Sequence, residues 1–232
     1  MTRIPSRIVP LLAAGACLFW MNAAHAQFSA LGGLASSLGG MLGGSANPLA
    51  AGAHDVDVFV RKSAELSEIA GRSVTAINAA FASEEKLAAK RAALAAIAAL
   101  PDPKERAAGY RALYDAEAGE TKRLIESGDM EKRMAALDGE KKKLIGRALM
   151  NFAIGALQAV ELGRQGKAIA AQAGMNPVGL ARVAPVTEAI PMLGKVALDV
   201  SGFVGTVAKL ARSADIAVPK VGAEAKPVVL DV

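Results

Sequence analysis

An all-α fold, a helical bundle with one long helix, is predicted by three features of this sequence. Apolar residues recur at spacings of three and four, helix-capping residues stand between these stretches, and no stretch shows the alternation of a strand. Removing a predicted signal peptide of 26 residues from the 232 leaves 206, which is long enough for a real hydrophobic core.

The segment 1–26 has the three parts of a secretory signal peptide. Arg3 and Arg7 precede an uncharged stretch, Ile8–Met21, and Ala24-His25-Ala26 forms an A-x-A cleavage site. The uncharged stretch is shorter than the about 20 residues of a comfortable membrane span. We therefore expect export, a new N-terminus at Gln27, and a periplasmic or secreted destination.

A second interpretation of this segment uses Cys17. The residues before it resemble a lipobox, in which the cysteine becomes lipidated, although Ala14 stands where leucine is usual. The residues that follow, 18–21, continue the apolar run and open no polar tether. Cleavage after Ala26 is therefore the interpretation that we favour.

The composition of the mature chain limits its chemistry. Loss of residues 1–26 removes the only cysteine, the only tryptophan and two arginines, which leaves 25 basic and 22 acidic residues, a net charge of +3. Such a chain has no internal disulfide, thiol nucleophile or cysteine metal ligand. The small positive charge does not indicate nucleic acid, so no nucleic-acid partner is predicted.

The segment 27–53 is a Gly/Ser-rich leader without a charged residue. Its leucines recur at spacings of three and four, and small residues recur every four, as in membrane helices that pack closely. Each glycine costs a water-exposed helix about 1 kcal/mol relative to alanine, and the leader holds seven. We favour a disordered or weakly helical leader, and a membrane-bound segment remains the alternative.

The segment 54–216 is predicted to form the α-helical domain, with a charged part, 54–143, and an apolar part, 144–216. The charged part holds 16 acidic and 16 basic residues, whereas residues 144–232 hold only 6 and 9. The tail, 217–232, contains two prolines and is predicted to be extended or loose.

Capping residues divide the charged part into helices. The first helix is predicted over His54–Ala82, and Ser83 caps a second over Glu84–Leu100. Asp102 caps a third, Pro103–Ser127, in which proline takes the first helical position.

The long helix is predicted next. Gly128 stops the third helix and Asp129 caps a fourth, which would extend over Met130–Ala173, roughly 65 Å if unbroken. Its uncharged stretch, Ala148–Val160, has the length of a buried core helix.

Two further helices are predicted in the apolar part. Asn176-Pro177 opens one, which Pro185 and Pro191 are expected to interrupt. The other is predicted over Met192–Ala214.

The search for reactive residues predicts no catalytic, cofactor-binding or metal site. His54 is the only histidine of the mature chain, and with Asp55 and Asp57 beside it we interpret it as the polar start of a helix. A metal site usually needs more converging ligands. There is no G-x-S-x-G motif and no phosphate-binding loop.

Other polar and aromatic groups are interpreted as structural. Lys141-Lys142-Lys143 is expected to be a solvated surface and not a site for phosphate or anionic lipid. Glu84 and Glu85 point to different sides of a helix and should be solvated. Tyr110 and Tyr114, four residues apart, are expected to pack in or at the edge of the core.

These observations predict an exported, non-enzymatic structural or interaction protein of the cell envelope or extracellular space. Peripheral association with an envelope protein or a lipid surface is expected, and self-association is a second contact that apolar surface would allow. One alternative is a membrane-inserting or pore-forming protein. Another is a carboxylate-based envelope hydrolase.

Overall fold

A computed structural model describes residues 53–173, 177–221 and 225–232 of the chain. The described residues contain no strand, which confirms the predicted all-α fold. The predicted signal peptide and nearly all of the leader lie outside them. The described helices are α1 (Ala53–Ala79), α2 (Glu84–Ala98), α3 (Pro103–Glu126), α4 (Met130–Ala135), α5 (Gly139–Ala173), α6 (Pro177–Ser201) and α7 (Phe203–Ser213).

Helix α1 is the centre of the bundle. All of its residues from 73 to 79 are buried, and it packs against α3, α5 and α6. Gly71 lies against the main chain of Tyr110, and Asn78 bonds to Glu117, which is further along α3. Helices α1 and α3 therefore run in the same direction, with α2 as the return connection.

Helix α5 runs opposite to α1. Gly166, near the end of α5, faces Phe59 near the start of α1, whereas Gly155 faces Ile69. Gly166 also faces Ile190 of α6. Because only residues 174–176 separate α5 from α6, these two helices form an antiparallel hairpin, and α6 runs parallel to α1 and α3.

Two of the predicted caps are confirmed by hydrogen bonds. The Ser83 hydroxyl accepts from the main-chain nitrogen of Lys86 at 3.4 Å, and the Asp102 carboxylate accepts from that of Lys104 at 2.8 Å. After α3, Gly128 adopts a positive φ of 73°, which favours glycine and ends the helix as predicted.

The predicted helix over 130–173 is wrong in its first part. Asp129 makes no side-chain cap, α4 ends at Ala135, and the long helix starts only at Gly139. The Asp138 carboxylate accepts from the main-chain nitrogen of Lys141 at 2.9 Å and caps the new start. Helix α5 then extends for 35 residues, about 52 Å.

The predicted interruption at Pro185 and Pro191 is also wrong. Both prolines lie inside α6, and the break comes instead at Gly202, so no helix starts at Met192. A proline inside a helix costs about 3 kcal/mol. Packing outweighs that cost, since one side of α6 is buried in the core at Val183, Val186, Ala189, Leu193 and Val196.

The uncharged stretch of α5 is the core helix that its length predicted. Phe152 is fully buried, with its ring stacked at 6.2 Å from Tyr114 and edge-on at 6.3 Å from Phe203. These rings join α3, α5 and α7. Buried with Phe152 on α5 are Ala148, Leu149, Asn151, Ile154, Gly155, Ala156 and Ala159.

The tail is non-helical where the structure describes it, but it is anchored and not loose. Both amide atoms of Asn151 bond to the main chain of Val228, at 2.7 and 2.8 Å, and Leu230 is buried. Earlier in the tail, the Ala217 carbonyl lies directly against Gly146 of α5. Packing on α5 therefore orders a segment whose own sequence forms no regular structure.

The Gly166→Ala variant should lower the free energy of unfolding by about 1–3 kcal/mol. An added Cβ would lie 2.7 Å from the ring of Phe59, which is buried, and 3.2 Å from Ile190. Gly163→Ala is the matched control on the same helix, because no atom lies within 4 Å of its added Cβ. It should gain about 1 kcal/mol from helix propensity. Urea unfolding followed by circular dichroism measures both, and equal stabilities would contradict the close α1–α5 packing.

Candidate functional site

An open cleft of about 710 Å³ lies between the first turns of α3 and the middle of α6, with the first half of α1 as its floor. This volume is within the usual range for a binding pocket. Its lining combines apolar and charged side chains, namely Asp57, Val60, Arg61, Ser63, Ala64, Glu65, Ser67, Glu68, Asp102, Pro103, Lys104, Arg106, Ala107, Tyr110, Arg111, Pro185, Glu188, Ala189, Met192 and Leu193.

The cleft ends where side chains tie α3 to α6. The Tyr114 hydroxyl donates to Asp199, and Lys195 pairs with Asp115. Lys122 adds a longer ion pair to Asp199 at 3.4 Å. Burial, followed by the bond to Asp199, raises the pKa of Tyr114 far above its ordinary 10.0, so the hydroxyl stays a donor. These bonds close one end of the space between α3 and α6.

The base of the cleft is mostly apolar, with the buried Ser63 and Ser67 also on its floor, and its edges are charged. Val60, Ala64, Ala107, Ala189 and Leu193 are buried or half-buried along its base. Charges of both signs project from exposed positions around them, from Asp57, Arg61 and Glu65 on α1, Lys104 and Asp102 beside the start of α3, and Glu188 on α6. An apolar centre with a polar rim is the usual anatomy of a protein interface.

A hydrogen-bonded group lies at the inner end of the cleft. The Glu68 carboxylate accepts from Arg72 Nε at 2.8 Å and from the Tyr110 hydroxyl at 3.4 Å, and Arg72 Nη2 donates to the same hydroxyl at 3.1 Å. The guanidinium also lies 5.7 Å from the centre of the Tyr110 ring. Glu68 is therefore occupied by two donors.

The cleft serines are not poised as nucleophiles. Ser63 donates to the carbonyl of Val60 at 2.8 Å, and Ser67 donates to that of Ser63 at 2.9 Å. A serine nucleophile needs a positioned base, whereas both hydroxyl protons here are directed at the main chain of α1.

A second polar cluster is buried between α1, α2 and α3. Lys90 donates to both Glu117 oxygens at 2.7 Å, and to Glu120 at the same distance. The Asn78 amide donates to Glu117 at 2.6 Å and accepts from Thr121 at 2.8 Å. Every buried polar side-chain atom of the described residues has a partner, so this cluster holds helices together and offers no free group to a ligand.

The residues that were singled out from sequence lie in different parts of the structure. His54 lies in the first turn of α1, and its side chain is outside the described part. The triple lysine is largely solvated, with Lys143 paired to Glu140 at 2.7 Å. Tyr110 and Tyr114 are buried, as predicted. Among the described residues, no group of three His, Cys, Asp or Glu residues is placed to hold a metal ion.

The cleft residues that were singled out from sequence, such as Asp57, Asp102 and Tyr110, were interpreted as structural and not as parts of one site. No residue of the buried cluster was singled out. Glu117 offered the one available signal, because it lies between Tyr114, Ala118 and Thr121 on a face of α3 that is otherwise free of charge. An acidic residue on a buried face needs a cationic partner. The cleft residues carry no such signal, since they are ordinary surface and core residues of three separate helices.

One helical segment of the described chain, Ala181–Ser213, is long and apolar enough to cross a membrane by length and composition alone. Only 33% of its most apolar 18-residue stretch is buried inside the protein. Leu198 within it is 73% exposed. The same length and composition also occur in core helices of proteins that do not enter membranes.

No protein-family model, curated protein or solved structure matches this chain. Its function has to be inferred from its own residues.

The free energy of unfolding should fall as the pH rises above about 10. Burial alone would lower the pKa of Lys90, but its bonds to Glu117 and Glu120 outweigh burial and raise that pKa above 10.5. Burial also raises the pKa of Tyr114 above 10.0. For both groups the folded chain holds its proton more tightly than the unfolded chain. The stability that they add is therefore complete at lower pH and is lost as the pH passes the folded pKa.

Urea unfolding at a series of alkaline pH values measures this loss. Tyr114→Phe and Lys90→Met should each show a shallower decline than the wild type, because each removes one of the two groups. A decline of equal slope in all three proteins would contradict the assignment.

Proposed function

We propose that this chain is an exported, non-enzymatic interaction protein of the cell envelope or extracellular space, which binds a partner protein in the cleft between α3 and α6. Export is supported by the order of basic residues, apolar run and A-x-A site in residues 1–26. The observation that carries the interaction is the cleft itself, which has a volume of about 710 Å³, a mostly apolar base and charges of both signs around its edge.

The rim favours a polypeptide partner over a small anion or nucleic acid. The cleft is lined by the acidic residues Asp57, Glu65, Glu68, Asp102 and Glu188 and by the basic residues Arg61, Lys104, Arg106 and Arg111. Nucleic acid requires a surface of one sign. A protein segment with an apolar face and charged flanks matches the base and the rim together.

The test fills the cleft without altering its charge. Ala107 is half-buried on α3 and lines the cleft, whereas the adjacent Ala108 is exposed and does not. We expect Ala107→Trp to move the protein from the envelope fraction to the soluble fraction, whereas Ala108→Trp should fractionate as the wild type. A high-salt wash should release the wild type, because screened charges at the rim contribute to binding.

Identical fractionation of Ala107→Trp and Ala108→Trp would contradict the proposed site. Circular dichroism of both variants shows whether each retains the helical fold. Sequencing of the exported N-terminus tests the other half of the proposal, and a chain that begins at Cys17 or retains Met1 would contradict cleavage after Ala26.

A membrane-inserting or pore-forming protein is the second candidate, and the segment Ala181–Ser213 favours it. That segment contains six charged residues, Arg182, Glu188, Lys195, Asp199, Lys209 and Arg212. Each charge at mid-bilayer costs at least about 2.5 kcal/mol. Leakage of dye from vesicles would support insertion, and a chain that leaves vesicles intact would exclude it.

A carboxylate-based hydrolase is the third candidate, because the cleft gathers several acidic side chains. Such an enzyme pairs an acid with a base or nucleophile. Glu68 is bonded to Arg72 and Tyr110, and Asp102 caps α3. The acidic residues left to test are Asp57, Glu65 and Glu188. Hydrolysis of envelope polymer that is lost in Glu65→Gln, while binding persists, would favour the enzyme.

A further inference from the structure

The tail lies on α5 in the way that a bound peptide does. Asn151 is only 4% exposed, and its Nδ2 donates to the Val228 carbonyl at 2.7 Å while its Oδ1 accepts from the Val228 nitrogen at 2.8 Å. One side-chain amide thus satisfies both main-chain groups of one residue. These bonds recognise the extended backbone and not the side chain of Val228.

A side-chain anchor and a third main-chain bond follow along the tail. Leu230 is 8% exposed, whereas the preceding Val229 is 80% exposed, so alternate side chains point toward the core and toward solvent. Arg91 Nε on α2 donates to the main-chain oxygen of Val232 at 2.7 Å. Main-chain bonds combined with a pocket for one alternate side chain are the pattern by which proteins bind extended peptides.

The groove that holds the tail is built by the helices and not by the tail. Asn151 lies in the middle of α5 and is surrounded by core residues, and Arg91 lies on α2. Residues 225–232 form no helix and contribute one buried side chain. Removal of the tail would therefore expose the Asn151 amide and the surface that Leu230 covers.

We propose that this groove is a binding site for an extended apolar peptide, and that residues 225–232 of a second copy of this chain enter it by tail exchange. The groove accepts an extended backbone in which a large aliphatic residue stands two positions after the residue bonded to Asn151. The identical tail of another copy meets this requirement equally well. Exchange of identical elements gives a closed, two-fold dimer at low energetic cost. The tail of the same chain competes at an effective concentration on the order of millimolar, so exchange increases with protein concentration. This site is separate from the cleft.

The first test uses the full chain and a fluorescent peptide with the sequence of residues 225–232. Leu230→Asp should free the groove by removing the apolar anchor, whereas Val229→Asp, at the exposed neighbouring position, should leave it occupied. We expect the peptide to bind the Leu230→Asp chain about tenfold more tightly than the wild type or Val229→Asp. Adding Asn151→Ala to Leu230→Asp should weaken binding about tenfold, because two hydrogen bonds are lost.

The second test asks for exchange between copies. A Leu230→Asp chain has an intact groove and a defective tail, and an Asn151→Ala chain has an intact tail and a defective groove. Light scattering should show a heterodimer in the mixture and monomers of each variant alone. A mixture that stays monomeric, or a peptide that binds the double variant as well as Leu230→Asp, would overturn the proposal.

Light scattering of the wild-type chain over a series of concentrations asks the same question with Asn151 and Leu230 in place, should Leu230→Asp reduce the helical signal. A dimer fraction that increases with protein concentration in the wild type, and is absent in Asn151→Ala, would support exchange. A wild-type mass that stays monomeric at every concentration would overturn it.

Discussion

Replacement of Lys90 with alanine is expected to lower the free energy of unfolding by about 3–5 kcal/mol. The Lys90 side chain is 11% exposed and that of Glu117 is 7% exposed, and their atoms lie 2.7 Å apart. Loss of the ammonium leaves the Glu117 carboxylate buried with only the Asn78 amide as a side-chain donor. An uncompensated buried charge costs far more than the ion pair gains.

Lys86→Ala is the matched control for this prediction. Lys86 lies one turn earlier on α2 and is exposed, so its loss should change the free energy of unfolding by no more than about 0.5 kcal/mol. Combining Lys90→Met with Glu117→Gln should recover much of the loss, since no charge is then buried. Urea unfolding measures all four proteins. A Lys90→Ala variant as stable as Lys86→Ala would show that the pair is not buried in solution.

The features of the fold that could be predicted from sequence are those that short-range interactions determine. Ser83 and Asp102 cap helices through bonds to residues two or three positions away, and a capping side chain needs no tertiary partner. The buried helix around Phe152 was also predictable, because a long uncharged, apolar stretch is usually buried in the core.

The errors arose where tertiary packing competes with local preference. Pro185 and Pro191 predict a break, but the buried stripe of α6 keeps the helix continuous. The sequence contained a helix-capping signal at Asp138, because Asp there precedes Gly139 and Glu140 at the start of α5. The apolar spacing from Met134 to Leu144 continues across that break and concealed it.

The cleft and the buried cluster could not be predicted because their residues are far apart in sequence. Lys90 and Glu117 are 27 positions apart. Asp57 and Leu193 line the same cleft only because α6 packs on α1. Nothing in their local spacing indicates the contact. Bringing them together depends on the parallel arrangement of α1, α3 and α6, which follows from connection lengths and packing.

Phe152→Ala should be the most destabilising single change in the core, with a loss of about 3–5 kcal/mol. Phe152 is fully buried and contacts the rings of Tyr114 and Phe203, so it joins three separate helices, α3, α5 and α7. Truncation removes the buried ring and leaves a cavity that the stacked neighbours cannot fill.

Leu198→Ala provides the control for the removal of apolar area at a position that is 73% exposed. It should change the free energy of unfolding by no more than about 0.5 kcal/mol. Phe152→Leu, which keeps much of the volume, should fall between them with a loss of about 1–1.5 kcal/mol, and it remains measurable if Phe152→Ala does not fold. Because Tyr114 also closes the cleft through Asp199, Phe152→Leu should weaken envelope association as well as stability. A loss of stability with unchanged association would mean that the cleft does not depend on the aromatic core beneath it.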